Sequence, residues 1–331
     1  MKNIVLSIIV PYYKEKPDEI FPLLASINSQ MSLDFEKIEC VLVNDGAQNK
    51  LDDAFLSTFK NLNARCIVMD ENRGPGMARQ MGIDHAAGEY VMFCDADDVL
   101  HNENVLRAFL ETIEGKHPDM FCSSWYEEHI EPDTGKISYI LHYSEYTWLH
   151  GKVFRRAFLE ENNIRFHQKL RVHEDTHFLS VAAMEGQMLR IGAISYIWKY
   201  NKNSITRKDN FAYFIKSTIE HIKSAIYTCE AAETRHPERL GYVAGEFIIY
   251  YYFHLHEPKW RYPENKEYLF QSESALRSLI KKYAKHFKAL PTEIFTFLYT
   301  RQQAMQPESD QSTETLDEWL KRLSKGKNMG Y

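Results

Sequence analysis

The chain has 331 residues, 44% hydrophobic and 26% charged, with a formal net charge of −6. That balance belongs to a soluble globular protein of one large or two ordinary domains, and the negative charge argues against general nucleic-acid binding. Five widely spaced cysteines, Cys40, Cys66, Cys94, Cys122 and Cys229, form no Cys-x-x-Cys pair; they read as small core residues of a reducing compartment. The start, "MKNIVLSIIVPYY", carries an apolar run too short to cross a bilayer, broken by Pro11, and lacks a signal-peptide cleavage site. A cytoplasmic protein is expected.

Ile4 to Val10 is β-branched and apolar, and Asp18 to Ser29 carries Ile20, Leu23, Leu24 and Ile27 at helical spacing. "IECVLVND" and "ARCIVMD" read as further strands around a helical "DDAFLSTF"; "GPGMARQMGIDHAA" reads as a helix and "YVMFCD" as a fourth strand. Apolar strands alternating with helices imply a mainly parallel α/β sheet covered on both faces, which binds ligands at the carboxyl ends of its strands. Those ends are polar here. The first runs into Pro11-Tyr12-Tyr13, the second into Asn44-Asp45-Gly46, and the fourth into Asp95, Asp97 and Asp98 around Ala96. An aromatic ring and a carboxylate suit a base and a ribose, although Asp-Gly is also an ordinary turn. Three carboxylates packed together repel one another unless a cation neutralises them.

Gly74 and Gly76 would let the backbone of the third helix approach a phosphate. Arg79, one turn in, could pair with a diphosphate or with a strand-end aspartate. The spacing fits neither a Walker loop nor a Gly-x-Gly-x-x-Gly motif. Further on, Glu174 and Asp175 in "RVHEDTHFL" precede an apolar helical run. They read as a catalytic pair or as a favourable dipole interaction at a helix N-terminus. Beyond residue 206 helical periodicity dominates to about residue 305, with an aromatic stretch, "EFIIYYYFHLHEPKWRYPENKEY", that reads as helix core. A polar linker follows, then a short amphipathic helix with a Thr315–Glu318 capping box. That helix is solvated, or rests on an anionic membrane, or contacts another subunit in a homo-oligomer.

"SIIVPYYKE", "VLVNDGA", "ENRGPGMARQMGIDHAAGEYVMFCDADD", "WLHGKVFRRAFLEENNIRF" and "VHEDTHF" occur in the order found in family 2 glycosyltransferases, which the chain resembles from about residue 4 to 206. The resemblance implies a GT-A, Rossmann-like domain over 1–206, with nucleotide-sugar binding over about 1–100 and the acceptor side over about 101–206. A helical region over 207–305 and a tail over 306–331 would follow. It implies an inverting transfer from a nucleotide-diphospho-sugar, a UDP-sugar, to a hydroxyl of a cell-surface glycan or polyol-phosphate polymer. Asp95-Ala96-Asp97 would be the Asp-x-Asp motif, with Asp97 on Mn²⁺ or Mg²⁺ and Asp95 on the ribose or on the metal through water. Pro11, Tyr13 and Asp45 fall to the base and ribose, Gly74 and Arg79 to the diphosphate side, and Asp98 to a cap on the following helix. Asp175 would be the base, with Glu174 the runner-up. Trp148 and Lys152 match positions near the sugar and acceptor, and His150, His173 and His177 are candidates for a third metal ligand. Lys199, Asn203 and Ser204 are candidate phosphate contacts. A sugar-nucleotide pyrophosphorylase would need glycines straight after the first strand, which "PYYKEKPDE" lacks. A non-catalytic binding module is expected to lose the metal or base carboxylates, and both sets are present.

Overall fold

Four apolar strands, β1 (Leu6–Tyr12), β2 (Ile38–Asn44), β3 (Ala64–Val68) and β4 (Tyr90–Phe93), form the first half of a mixed sheet in this computed structural model. The structure describes residues 3–48, 50–131, 133–143, 148–201 and 211–326, and the chain divides into two compact units, Met1–Lys208 and Asp209–Tyr331. In the first unit β3-β2-β1-β4 pair in parallel, joined by α1 (Pro17–Asn28), α2 (Asp53–Leu56) and α3 (Pro75–His85). β1, β2 and β4 are buried along their whole length, as strands covered on both faces must be. α2 is a single turn where "DDAFLSTF" reads as a longer helix. Asp52 caps it by accepting from Phe55 N–H, and the chain turns at Ser57 to bury Phe59.

The second half of the sheet breaks the parallel pattern. After β5 (Val99–Leu100) and α4 (Val105–Lys116) come β6 (Met120–Ile130), β7 (Ile137–His142), β8 (Lys152–Arg155), α5 (Arg156–Glu161), α6 (Glu174–Glu185) and β9 (Met188–Trp198). The strand order is β3-β2-β1-β4-β8-β6-β9-β5, with β7 added beside β6. β4–β8, β6–β8, β6–β7 and β5–β9 are antiparallel, while β6–β9 is parallel. The sheet is therefore mixed, and its parallel half is the part that the apolar runs of the sequence mark.

The second unit is helical throughout its described residues: α7 (Phe211–Arg235), α8 (Leu240–Leu255), α9 (Lys266–Lys288), α10 (Thr292–Met305) and α11 (Leu316–Ser324), with short 3₁₀ turns between. α8 is apolar on nearly every face and lies among α7, α9, α10 and α11. The aromatic stretch is mostly core, since Tyr251, Tyr252, Phe253 and Trp260 are buried while Tyr262 is exposed. No described helix is long and apolar enough to cross a membrane.

α11 packs within its own unit. Its capping box forms, with Thr315 N–H donating to Glu318 at 2.8 Å. Its apolar face, Leu316, Trp319, Leu320 and Leu323, is buried against α8 and α9 rather than offered to a membrane. Arg322 fastens the helix, donating to Glu273 at 2.6 Å and to Glu314 at 2.8 Å, and the Glu273 side chain is only 1% exposed. Removing the guanidinium strands two carboxylates. Arg322→Ala is expected to cost about 3–5 kcal/mol, read as a shift of the second unit's transition in urea unfolding.

Candidate active site

Asp95, Asp97 and Asp98 follow β4 and meet groups from three other segments. Ala96 between them packs its side chain into the core. Asp98 is fully buried and caps no helix, because its carboxylate accepts from Tyr196 O–H at 2.6 Å and from Lys199 N–H at 2.8 Å. The same Tyr196 oxygen accepts from Asp95 N–H at 2.9 Å, so one β9 side chain fixes both ends of the Asp-x-Asp-Asp turn. β5 pairs Leu100 with Tyr196, which brings that strand there. Asp97 accepts from Asn201 Nδ2 at 2.7 Å.

His150 lies flat on Tyr196, ring centroids 4.8 Å apart, with Nε2 3.7 Å from Asp95 Oδ2. Its Nδ1 is buried without a hydrogen-bond partner. Among the described residues, ligand atoms of Asp95, Asp98 and His150 come within 4.8 Å of one another, the one cluster of metal-ligand type. The three candidate histidines thus separate. His150 joins the carboxylates, whereas His173 is the left-handed N-cap of α6 and His177 packs edge-on to His167. Two carboxylates, the His150 imidazole and nearby Asp97 fit a divalent cation. The electrostatics fit too. Burial, then the charges of Asp95 and Asp97, push the Asp98 carboxyl well above its ordinary range. Burial also raises Asp97, with Asp95 adding to it. For Asp95 burial is outweighed by Arg79 and His150, which hold its carboxyl below the usual range.

Arg79, on α3, reaches two carboxylates at once. Nη2 donates to Asp95 at 2.6 Å and Nη1 to Glu174 at 2.8 Å, with the Arg79 side chain 9% exposed. Of the alternatives left open by the sequence, the strand-end aspartate is its partner. Glu174 and Asp175 open α6; Glu174 is buried and Asp175 half-buried, its Oδ1 accepting from Thr176 N–H at 2.7 Å. Burial and the adjacent Asp175 charge raise Glu174 to about 7 in spite of Arg79. A Cβ on Gly76 would fall 2.6 Å from Glu174 Cγ, so only glycine there lets α3 and α6 meet.

The residues that the resemblance assigns to the base and ribose are less open than their sequence suggests. Asp45 accepts from Asn72 Nδ2 at 2.9 Å, Arg73 N–H at 2.7 Å and Gly74 N–H at 2.8 Å, and so organises the start of α3. Gly46 has φ +75°, and a Cβ there would sit 2.3 Å from the Glu71 backbone. The Asp-Gly turn is thus both a turn and a scaffold for the neighbouring loop. Pro11 is buried within β1 opposite Val43, and Tyr13 beyond it is exposed, with Lys14 over its ring at 5.3 Å. Trp148 is half-buried in a cluster with Trp125 and Trp198. Lys152 is buried and donates to Trp148 C=O. Lys199 pairs with Glu128 at 2.7 Å, and Asn203 and Ser204 lie outside the described residues. Tyr196, Asn72 and Asn201 were assigned no role from the sequence, since only strand pairing and loop closure bring them to the site. Tyr196→Phe leaves the buried Asp98 short of a donor and is expected to lower stability by about 1–3 kcal/mol in urea unfolding, with the fold intact by circular dichroism.

The Glycosyl transferase family 2 profile matches residues 7–174. Among curated proteins, the Rhizobium meliloti succinoglycan biosynthesis protein ExoO is 27% identical over 206 residues, 56% of this chain and 59% of its own length. The Staphylococcus aureus poly(ribitol-phosphate) beta-N-acetylglucosaminyltransferase TarS is 28% identical over 239 residues, 68% of this chain and 38% of that protein. The chain therefore spans well under two thirds of these relatives. The crystal structure of Staphylococcus aureus TarS 1–349 in complex with UDP-GlcNAc superposes with a TM-score of 0.70 at 18% identity, covering 99% of this chain and 93% of that one. That likeness speaks for the fold. With a profile match over just over half its length, the chain belongs to glycosyl transferase family 2, and its mixed, helix-flanked sheet is GT-A-like.

Proposed function

We propose that the chain is an inverting glycosyltransferase that moves a sugar from a nucleotide-diphospho-sugar, a UDP-sugar, to a hydroxyl of a cell-surface glycan or polyol-phosphate polymer. The observation that carries this reading is the union of an Asp95–Asp98–His150 cluster with a Glu174–Asp175 pair through the single buried Arg79. A cation site beside a carboxylate pair is what a diphosphate leaving group and an acceptor hydroxyl require. Two relatives named for cell-surface polymers support the acceptor class, and the UDP-GlcNAc complex of TarS supports the donor class.

In this reading Asp95, Asp97, Asp98 and His150 are the groups that would hold Mn²⁺ or Mg²⁺. When bound, the cation supplies positive charge to the departing nucleoside diphosphate. Pro11, Tyr13 and Asp45 border the base and ribose, Gly74 the phosphates, and Trp148 offers a ring edge to the sugar. Asp175 takes the acceptor proton through the oxygen that Thr176 leaves open, and inversion follows from a single in-line displacement.

The test is release of nucleoside diphosphate from a panel of UDP-, GDP- and dTDP-sugars with Mn²⁺, with and without EDTA. Metal-dependent release from one donor names the sugar. No release, together with no shift in melting temperature by any donor, would overturn the reading in favour of a non-catalytic binding module. With the donor known, Asp175→Asn is expected to lower kcat about 10²–10⁴-fold while leaving donor affinity within about twofold. Because burial and the Asp175 charge raise Glu174 to about 7, kcat/KM is expected to fall as pH drops through about 7. Glu174→Gln should abolish that acid limb.

A further inference from the structure

Arg79 resembles a donor-binding arginine in sequence, yet each of its terminal nitrogens donates to a carboxylate and its Nε is buried without a partner. The element carrying it is fixed independently, since α3 packs on β1 and β2, and Gly76 admits Glu174 against the helix at a distance no Cβ would allow. The shared guanidinium is thus built in from two sides.

We infer that Arg79 is a positioning residue that links occupancy of the cation site to the placement of the acid pair. This rests on the cation reading above. A guanidinium shared by two carboxylates gives each only part of its charge and hydrogen-bonding capacity. A cation that takes Asp95 competes with Arg79 for that carboxylate, and the guanidinium then turns its full capacity to Glu174. Loss of the Glu174 charge has the opposite effect, because Arg79 then holds Asp95 alone and opposes the cation. The two sites are coupled through one side chain, and linkage requires the coupling to be reciprocal.

Calorimetry with Mn²⁺ alone tests this on the full chain. Glu174→Gln should weaken Mn²⁺ binding about tenfold when Arg79 is present, a size ordinary for groups that orient metal ligands. In an Arg79→Gln background the same change should cost about twofold, the residue of a lost negative charge. An equal effect in both backgrounds would overturn the linkage. Arg79→Gln should also lower kcat with donor KM within about twofold, and should leave metal-free UDP binding within about threefold; a loss of UDP binding beyond thirtyfold would make Arg79 a donor ligand instead. If Arg79→Gln does not fold, Gly76→Ala serves. Its Cβ pushes Glu174 off Arg79, so Mn²⁺ binding should weaken while UDP binding holds, and unchanged Mn²⁺ binding would defeat the inference. Absence of Mn²⁺ binding to the unaltered chain would overturn the cation reading and the linkage together, whereas Mn²⁺ binding without coupling overturns the linkage alone.

Discussion

Five carboxylates, Asp95, Asp97, Asp98, Glu174 and Asp175, gather at one edge of the sheet around the single buried guanidinium of Arg79. That excess of negative charge is the constraint to which the surrounding structure answers. Each group meets it differently. Asp95 takes a share of Arg79 and stays ionised, Asp98 withdraws onto a tyrosine hydroxyl and a backbone N–H, and Glu174 keeps a high proton affinity. A fold that bore these groups for stability alone would gain by replacing them with apolar residues of similar volume. The arrangement makes sense as a seat for positive charge from outside.

The fold's parallel half was legible because buried strands declare themselves as unbroken apolar runs, as in "VLSIIV" and "IECVLV". The antiparallel half was not. β6 and β9 each carry polar residues on a half-exposed face, and their pairing depends on contacts far apart in sequence. The site followed the same division. Asp95, Glu174 and Arg79 could be found from local motifs, since each stands at a strand end or a helix start. The partner of each could not. That Asp98 binds Tyr196, that Asp45 binds the start of α3, and that Arg79 reaches Glu174 are all products of tertiary closure.

The tail stayed ambiguous in sequence for a related reason. An amphipathic helix with basic residues looks the same in sequence whether its apolar face meets lipid or protein. The discriminating feature was Arg322, whose partner Glu273 lies 49 residues earlier on α9. A basic residue on such a helix is ambiguous until its acidic counterpart is located.

β6 is long enough to serve two masters. Its first residues pair with β8 and carry the sheet's core, its later ones pair with β7, and Trp125 at the junction touches His150, Trp148 and stacked His142. Beyond Trp125 the ribbon exposes Ile137, Tyr139 and Ile140, which take no part in the cluster around Asp95. The outer ribbon is nonetheless tied to the inner end: Tyr139 donates to Glu128, Glu128 holds Lys199, and the Lys199 backbone N–H donates to Asp98, so a change on that surface is passed to the strand-end carboxylates.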